Sequence, residues 1–366
     1  MTTAIRERVV TGRRAASASM KALVYHGPGR RAFQDRPRPL LQDKTDAIVR
    51  VSTTTICGTD LHILKGDVPT VAEGRVLGHE AVGYVEETGS AVTGFEAGDK
   101  VLVSCISSCG RCDQCKKGMY SHCRSGGWQL GHTLDGTQAE YVRIPHADGS
   151  LHHLPQDADE EACMLLSDIF PTGFECGVER GRVRPGDTVA IVGAGPIGLA
   201  ALVTAQLYAP SALVMIDPDL NRLATSRLLG ATETIKAADP NGAAEAVHAL
   251  TNGEGVDVAI EAVGVPASFD TCQAIVAPGG RIANVGVHGK PVELRLERLW
   301  SHNVTITTRL VDTVSTPMLL KLVLSGRLQT KSLVTHRFAL SEIMHAYDVF
   351  ENAGREKALK VAIHDR

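Results

Sequence analysis

Four cysteines, Cys109, Cys112, Cys115 and Cys123, stand close together as Cys-x2-Cys-x2-Cys-x7-Cys, with Gly110 and Gly118 supplying bends between them. Four thiolates at such spacing can enclose one tetrahedral zinc and leave no position open, which is the chemistry of a structural site. Three cysteines at x2 spacing also resemble a ferredoxin run. No proline follows the fourth, however, and the x7 gap suits zinc better than an iron–sulfur cluster. Cys105 precedes the set and reads as a small buried residue beside the lobe. A second group is differently built. Cys57 heads Cys57-Gly58-Thr59-Asp60-Leu61-His62, and His79 lies in Gly78-His79-Glu80. A catalytic zinc takes three protein ligands and keeps a fourth position for substrate. Cys57 and His79 are natural candidates for two of the three.

The third chemical signal is Gly193-Ala194-Gly195-Pro196-Ile197-Gly198. Gly193 permits a tight turn, Gly195 lets backbone approach a pyrophosphate, and Gly198 permits close helix–strand packing. Free N–H groups at the start of the helix that follows would face the phosphates. Asp217 stands 19 residues after Gly198 at the end of the next apolar run. Its carboxylate would accept hydrogen bonds from both ribose hydroxyls and repel a 2′-phosphate, which favours NAD over NADP. Arg222 lies near the adenosine end, where it would tolerate a phosphate, stack on adenine or face solvent.

These groups need elements to hold them. The first ~170 residues read as short strands broken by Gly and Pro turns, such as Val82–Val85 and Lys100–Val103. After Pro171 the texture changes. Strands at Thr188–Val192, Ala212–Asp217, Val256–Glu261 and Ile282–Val287 alternate with helical stretches at Pro196–Leu207 and Asn221–Leu229. Such alternation predicts a parallel sheet covered by helices on both faces. The last ~55 residues return to a mixed pattern and are expected to pack back on the first part. The fold class is therefore α/β. Residues 1–19, with Arg6, Arg8, Arg13 and Arg14 against Glu7, read as a flexible tail rather than a targeting segment, and Met20 opens the first strand.

Composition narrows the function. The chain has 366 residues, 43% of them hydrophobic, and a formal net charge of -3, so no basic field points to nucleic acid or an anionic membrane. No apolar run reaches membrane-spanning length. Nine cysteines without a secretory signal point to a reducing compartment, here taken as the cytoplasm.

Taken together, Cys57 to His62, Gly78 to Glu80, Cys109 to Cys123, Asp168 to Gly173 and Gly193 to Gly198 resemble, in order and spacing, the zinc-containing medium-chain dehydrogenase/reductase family. The likeness runs over nearly all of residues 20–366. It implies a GroES-like β-rich catalytic domain at 20–168 and 309–366, with a structural zinc lobe at 105–123. Inserted in it, at 169–308, is a doubly wound Rossmann domain. It implies two zincs per chain, NAD, and reversible hydride transfer between a small primary or secondary alcohol and nicotinamide. A polyol, threonine or formaldehyde dehydrogenase on the same frame is the alternative, and a non-enzymatic NAD- and zinc-binding sensor is disfavoured because the ligand and relay residues are all present.

The same resemblance assigns roles. Asp168, just before Phe170-Pro171-Thr172-Gly173, becomes the third catalytic ligand, against the plainer reading of a helix cap. Glu80 lies behind the metal and enters its coordination during ligand exchange, and Asp60 holds the ring of His79. Zinc would act as a Lewis acid on the substrate oxygen. Thr59 and, through the cofactor ribose, His62 would carry the proton to solvent. Thr172, Val263 and Val285 are placed at the cofactor, and Lys360 at its pyrophosphate or capping the sheet. Trp128 either walls the substrate pocket or packs in the core, His132 is pocket or surface, and His152-His153 is expected in a solvated loop. Arg309 is expected beside the nicotinamide, binding an anionic substrate group or facing solvent. A homodimer or homotetramer through residues 282–308 is expected.

Overall fold

The computed structural model describes residues 19–237 and 239–365. The tail expected at 1–19 therefore lies outside the described residues, apart from Ser19, which opens a strand.

The chain begins with a hairpin, β1 (Ser19–Tyr25) and β2 (Arg31–Pro37). Alternation along β1 places Met20, Ala22 and Val24 in one apolar cluster and Leu23 and Tyr25 in another, so both faces are buried. Five strands follow: β3 (Ala47–Thr55), β4 (Ala81–Thr88), β5 (Lys100–Val103), β6 (Tyr141–Ile144) and β7 (Leu151–His153). These form one sheet in the order β3-β4-β5-β7, with β6 also paired to β3. Gly83 in β4 lies so close to the Arg50 carbonyl of β3 that a Cβ there would overlap it.

A second sheet is built by β8 (Thr188–Val192), β9 (Ala212–Asp217), β10 (Glu233–Lys236), β11 (Val256–Glu261), β12 (Val276–Asn284) and β13 (Thr305–Thr308). All pairs are parallel, in the order β10-β9-β8-β11-β12-β13. Numbered within this unit the order is 3-2-1-4-5-6, that of a dinucleotide-binding sheet whose crevice opens between the first and fourth strands. The near-continuous apolar strands divide between two cores. Val189, Ile191, Met215 and Ile260 face one, and Ala190, Val192, Ile216 and Ala259 the other. Helices cover both faces, so a strand buried on both sides needs no polar alternation.

Two strands close the chain, β14 (Val334–Ala339) and β15 (Lys360–His364). They pair with each other in parallel, and β15 pairs antiparallel with β3, so the C-terminal segment completes the first sheet. The fold is α/β, a β-rich body joined to a parallel, helix-covered sheet.

Some local expectations need correction. The strand read at Ile282–Val287 is Val276–Asn284. Pro278-Gly279-Gly280 masked its start, and at its end the Val285 and Gly286 N–H groups both turn to the Glu261 carbonyl. His152-His153 is not a solvated loop but part of β7, paired with Leu102 and Val101 of β5. A π-helix at Gly173–Glu179 was not foreseen; a register with i→i+5 bonds has no simple sequence signal.

Candidate active site

Cys57 is the N-cap of the helix Gly58–Lys65. The side chain of Asp60 turns back to accept the Cys57 backbone N–H at 2.9 Å, which fixes the direction of the Cys57 thiol. The same Asp60 oxygen accepts from Gln138 Nε2 at 3.1 Å, and Tyr347 OH donates to Gln138 Oε1 at 2.8 Å. His79 enters from the turn before β4, where Gly78 takes φ +92 against Thr137 and Gln138. Asp168 occupies the N-cap position of the short helix Ile169–Thr172, but its side chain caps no backbone N–H. The helix-cap reading of Asp168 is therefore set aside. Its Oδ1 instead accepts the Thr172 hydroxyl at 2.6 Å and lies 3.7 Å from the Cys105 thiol.

These three ligand candidates converge. Asp168 Oδ2 is 3.3 Å from His79 Nε2 and 3.6 Å from Cys57 Sγ. With bonds of 2.0–2.3 Å, a tetrahedral zinc needs ligand–ligand edges of roughly 3.3–3.8 Å, so the spacing fits. Cys57, His79, Glu80 and Asp168 each place one ligand atom within 4.8 Å of the others. Burial would push the Asp168 carboxyl up, but hydrogen bonding and charge from His79, with the Thr172 hydroxyl, hold it at about 2. Burial would lower His79, but Asp168 and Cys57 outweigh it and raise it well above its ordinary value. Burial raises the Cys57 thiol. Such a mutually dependent set of buried donors is what a cation would neutralise. Glu80 Oε2 is buried without a hydrogen-bond partner beside it, as are Asp60 Oδ1 and His79 Nδ1.

The other cysteine group is also assembled. Cys109, Cys112, Cys115 and Cys123 bring their sulfurs within 4.8 Å of one another, with Cys112 and Cys115 3.6 Å apart. No side chain among the described residues forms a disulfide there; all nine cysteines are free thiols.

Cys57, Asp168 and Thr172 share a cleft of about 710 Å³ with the glycine turn, through Gly195 and Ile197. Gly193 has φ +105, and a Cβ on Gly198 would overlap the Gly193 carbonyl, so both glycines are required by the turn. Gly195 caps the helix Pro196–Ala205 and Pro196 begins it, and with Ile197 they line the cleft, so the start of the helix lies at its wall. Asp217 Oδ2 accepts the Ala194 N–H at 2.7 Å and Oδ1 the Asp219 N–H at 2.8 Å, which seats the carboxylate against the turn. Arg222, Val263 and Val285 line the cleft. The Val263 N–H is held by Glu261 Oε1 at 2.9 Å and the Val285 N–H by the Glu261 carbonyl at 2.8 Å. Thr59 and His62 line it at the Cys57 end, where His62 Nδ1 lies 2.8 Å from Asp67 Oδ2.

Several expected roles change. Lys360 neither caps the sheet surface nor reaches freely for a pyrophosphate. It is 1% exposed, and its ammonium is committed to Glu80 Oε1 at 2.6 Å and the Ile56 carbonyl at 3.1 Å. Arg309 lines the cleft but is held there by Asp312 Oδ2 at 2.8 Å and Glu175 Oε2 at 3.5 Å, so it neither faces solvent nor offers an unpaired charge. Asp60 makes no direct hydrogen bond to His79, and it holds Cys57 and Gln138 instead. Trp128 sets its ring edge-to-face with His79 at 6.3 Å and stacks on His132 at 4.4 Å. Cys105 is not merely beside the cysteine lobe: it touches Asp168. Sequence reasoning missed Glu175, Gln138 and Tyr347, whose partners are distant in the chain.

A dinucleotide crevice sharing one cleft with a Cys/His/Asp cluster defines a metal- and cofactor-dependent oxidoreductase. Residues 43–156 match the alcohol dehydrogenase GroES-like domain, and residues 196–324 the zinc-binding dehydrogenase domain. An alcohol dehydrogenase of Cupriavidus necator is 37% identical, over 95% of this chain and 99% of that one. The structure of zinc dependent alcohol dehydrogenase 2 from Streptococcus pneumonia, in its apo form, is 53% identical with a TM-score of 0.91, covering 94% of this chain and 98% of that one. Alcohol dehydrogenase TADH from Thermus sp. ATN1 is 36% identical with a TM-score of 0.86, covering 95% and 100%. The chain belongs to the zinc-containing medium-chain dehydrogenase/reductase family and is a zinc-dependent alcohol dehydrogenase using a nicotinamide cofactor.

Proposed function

We propose that Cys57, His79 and Asp168 hold the catalytic zinc of an NAD-linked dehydrogenase for small uncharged primary or secondary alcohols. The observation that carries this reading is the convergence of those three ligand atoms, with Cys57 and Asp168 in the wall of the cleft that also holds Gly195 and Ile197. Bound zinc supplies Lewis acidity to the substrate oxygen. The chain's own residues do the rest. The glycine turn and the start of the helix at Pro196 seat the pyrophosphate, and Val263 and Val285 shape the cleft around the cofactor. Thr59 and His62 form the proton exit, with Asp67 orienting the His62 ring from its Nδ1 side. Cys109, Cys112, Cys115 and Cys123 hold a second, structural zinc, so the account requires two per chain.

The preference for uncharged alcohols rests on charge. Arg309 and Lys360 both reach the cleft, and each is already paired with carboxylates. A phosphate or carboxylate on the substrate would find no uncompensated cation at the metal end. Arg222 lies instead at the cofactor end, near Gly195. NAD is preferred because Asp217, seated by two backbone N–H groups, would face a 2′-phosphate with a like charge. In kinetics with both cofactors, the wild type is expected to favour NAD. Asp217→Ser should move kcat/KM towards NADP by at least about tenfold. An unchanged ratio would remove Asp217 from cofactor choice.

Cysteines grouped as metal ligands suit a reducing compartment, and the cytoplasm is proposed on that ground. Among the described residues, no helix is long and apolar enough to cross a membrane. Self-association is proposed through the edge strand β13, next to the exposed Trp300 and Leu296.

A further inference from the structure

The two oxygens of Asp168 have different surroundings. Oδ2 faces the ligand cluster, 3.3 Å from His79 Nε2 and 3.6 Å from Cys57 Sγ. Oδ1 points away and is already engaged. The Thr172 hydroxyl donates to it at 2.6 Å, and the Cys105 thiol lies 3.7 Å from it. The hydroxyl comes one helical turn after Asp168, where the Thr172 backbone N–H also donates to the Asp168 carbonyl at 2.8 Å. The geometry of the Thr172 contact is thus set by the helix itself. Cys105 arrives from the loop after β5, pinned by its own N–H on the Ser167 carbonyl at 3.1 Å.

A carboxylate can bind zinc through one oxygen or both. With both, Asp168 would occupy the position that substrate needs, or force a fifth ligand on the metal. We propose that Thr172 and Cys105 are positioning residues that keep Asp168 a one-oxygen ligand and so keep the substrate position open. This inference rests on the assignment of Cys57, His79 and Asp168 as the catalytic zinc ligands. It gives Thr172 a task that does not require the cofactor, and it gives Cys105 a task where the sequence suggested only packing. The hydroxyl at 2.6 Å is the stronger restraint, because a thiol is a weak donor.

The test uses the full-length protein with cobalt or zinc as the probe metal, and needs no turnover. Thr172→Val removes the hydroxyl at nearly constant volume, Thr172→Ser keeps it, and Cys105→Ala removes the thiol. In Thr172→Val, retention of the catalytic-site metal against a chelator is expected to fall about 10- to 100-fold. The four-cysteine metal should be kept, and the cobalt absorption bands should weaken towards those of a five-coordinate site. Thr172→Ser should restore both readings, and Cys105→Ala should show a smaller loss in the same direction. If Thr172→Val fails to fold, Cys105→Ala carries the test, and wild-type retention with an unshifted spectrum there overturns the proposal. So does a folded Thr172→Val with wild-type metal retention and spectrum whose only change is a higher KM for the cofactor. A wild type that binds one metal, in the cysteine lobe alone, overturns the ligand assignment itself, and the proposal with it.

Discussion

At the residue scale, the least expected feature is the Lys360–Glu80 pair. Both side chains are 1% exposed and 2.6 Å apart. Burial pushes the Glu80 carboxyl up, and the Lys360 charge works against that rise. The ammonium meets Oε1 and Glu80 Oε2 has no partner, so the ammonium is the main restraint on a carboxylate that sits within reach of the metal ligands. Lys360→Met would strand that charge. A loss of roughly 3–5 kcal/mol in denaturant unfolding is expected, and most of it should return in the Lys360→Met, Glu80→Gln double variant. A double variant no more stable than Lys360→Met would show that Lys360 stabilises by packing alone. The pairing was not legible in the sequence. Resemblance marks a basic position, but only the fold, by laying β15 beside β3, tells where its ammonium ends. Cys57 and His79 were legible because zinc chemistry restricts residue type. Asp168 was legible only through its neighbours Phe170 to Gly173.

At the scale of elements, the glycine turn could be read because close approach leaves a mark in residue type: Gly193 and Gly198 tolerate no side chain. The apolar strands of the parallel sheet were equally plain. Short strands in the first sheet were not, and β7 is the instructive case. His152 looks polar, yet β5 pairs with its strand and burial lowers its pKa to about 4. In the unfolded chain a histidine titrates near 6.5. Above that value both states are neutral and the group is silent. As pH falls through the window from about 6.5 to 4, the unfolded state takes up a proton that the folded state refuses, so stability is lost on acidification. By pH 5 the loss is about 2 kcal/mol. His152→Gln is expected to lose less stability than wild type between pH 7.5 and 5 in urea melts. Parallel losses in the two proteins would show that His152 is not the group responsible.

At the scale of the whole molecule, the cysteine lobe is tied to the cleft. Ser121, two residues before Cys123, donates its N–H at 2.8 Å and its hydroxyl at 2.6 Å to Asp312 Oδ1. The other oxygen of Asp312 holds Arg309 in the cleft wall, and the Asp312 N–H is bound by Glu175 of the π-helix at 2.9 Å. Glu175 also takes the Ser315 N–H and hydroxyl. No sequence pattern announces this network, since Asp312 and Glu175 lie 137 positions apart. Asp312→Asn is expected to raise the KM for cofactor more than it lowers kcat, while both metals stay bound; an unaltered KM would mean the lobe is uncoupled from the cleft. The central claim is that Cys57, His79 and Asp168 hold a zinc on which alcohol oxidation depends. The most direct measurement is zinc per chain by mass spectrometry, in wild type and Asp168→Asn, beside NAD reduction over a panel of neutral alcohols. The account predicts two zincs with turnover in the wild type, and about one zinc without turnover in the variant. One zinc in the wild type, or two zincs with full turnover in Asp168→Asn, would contradict it.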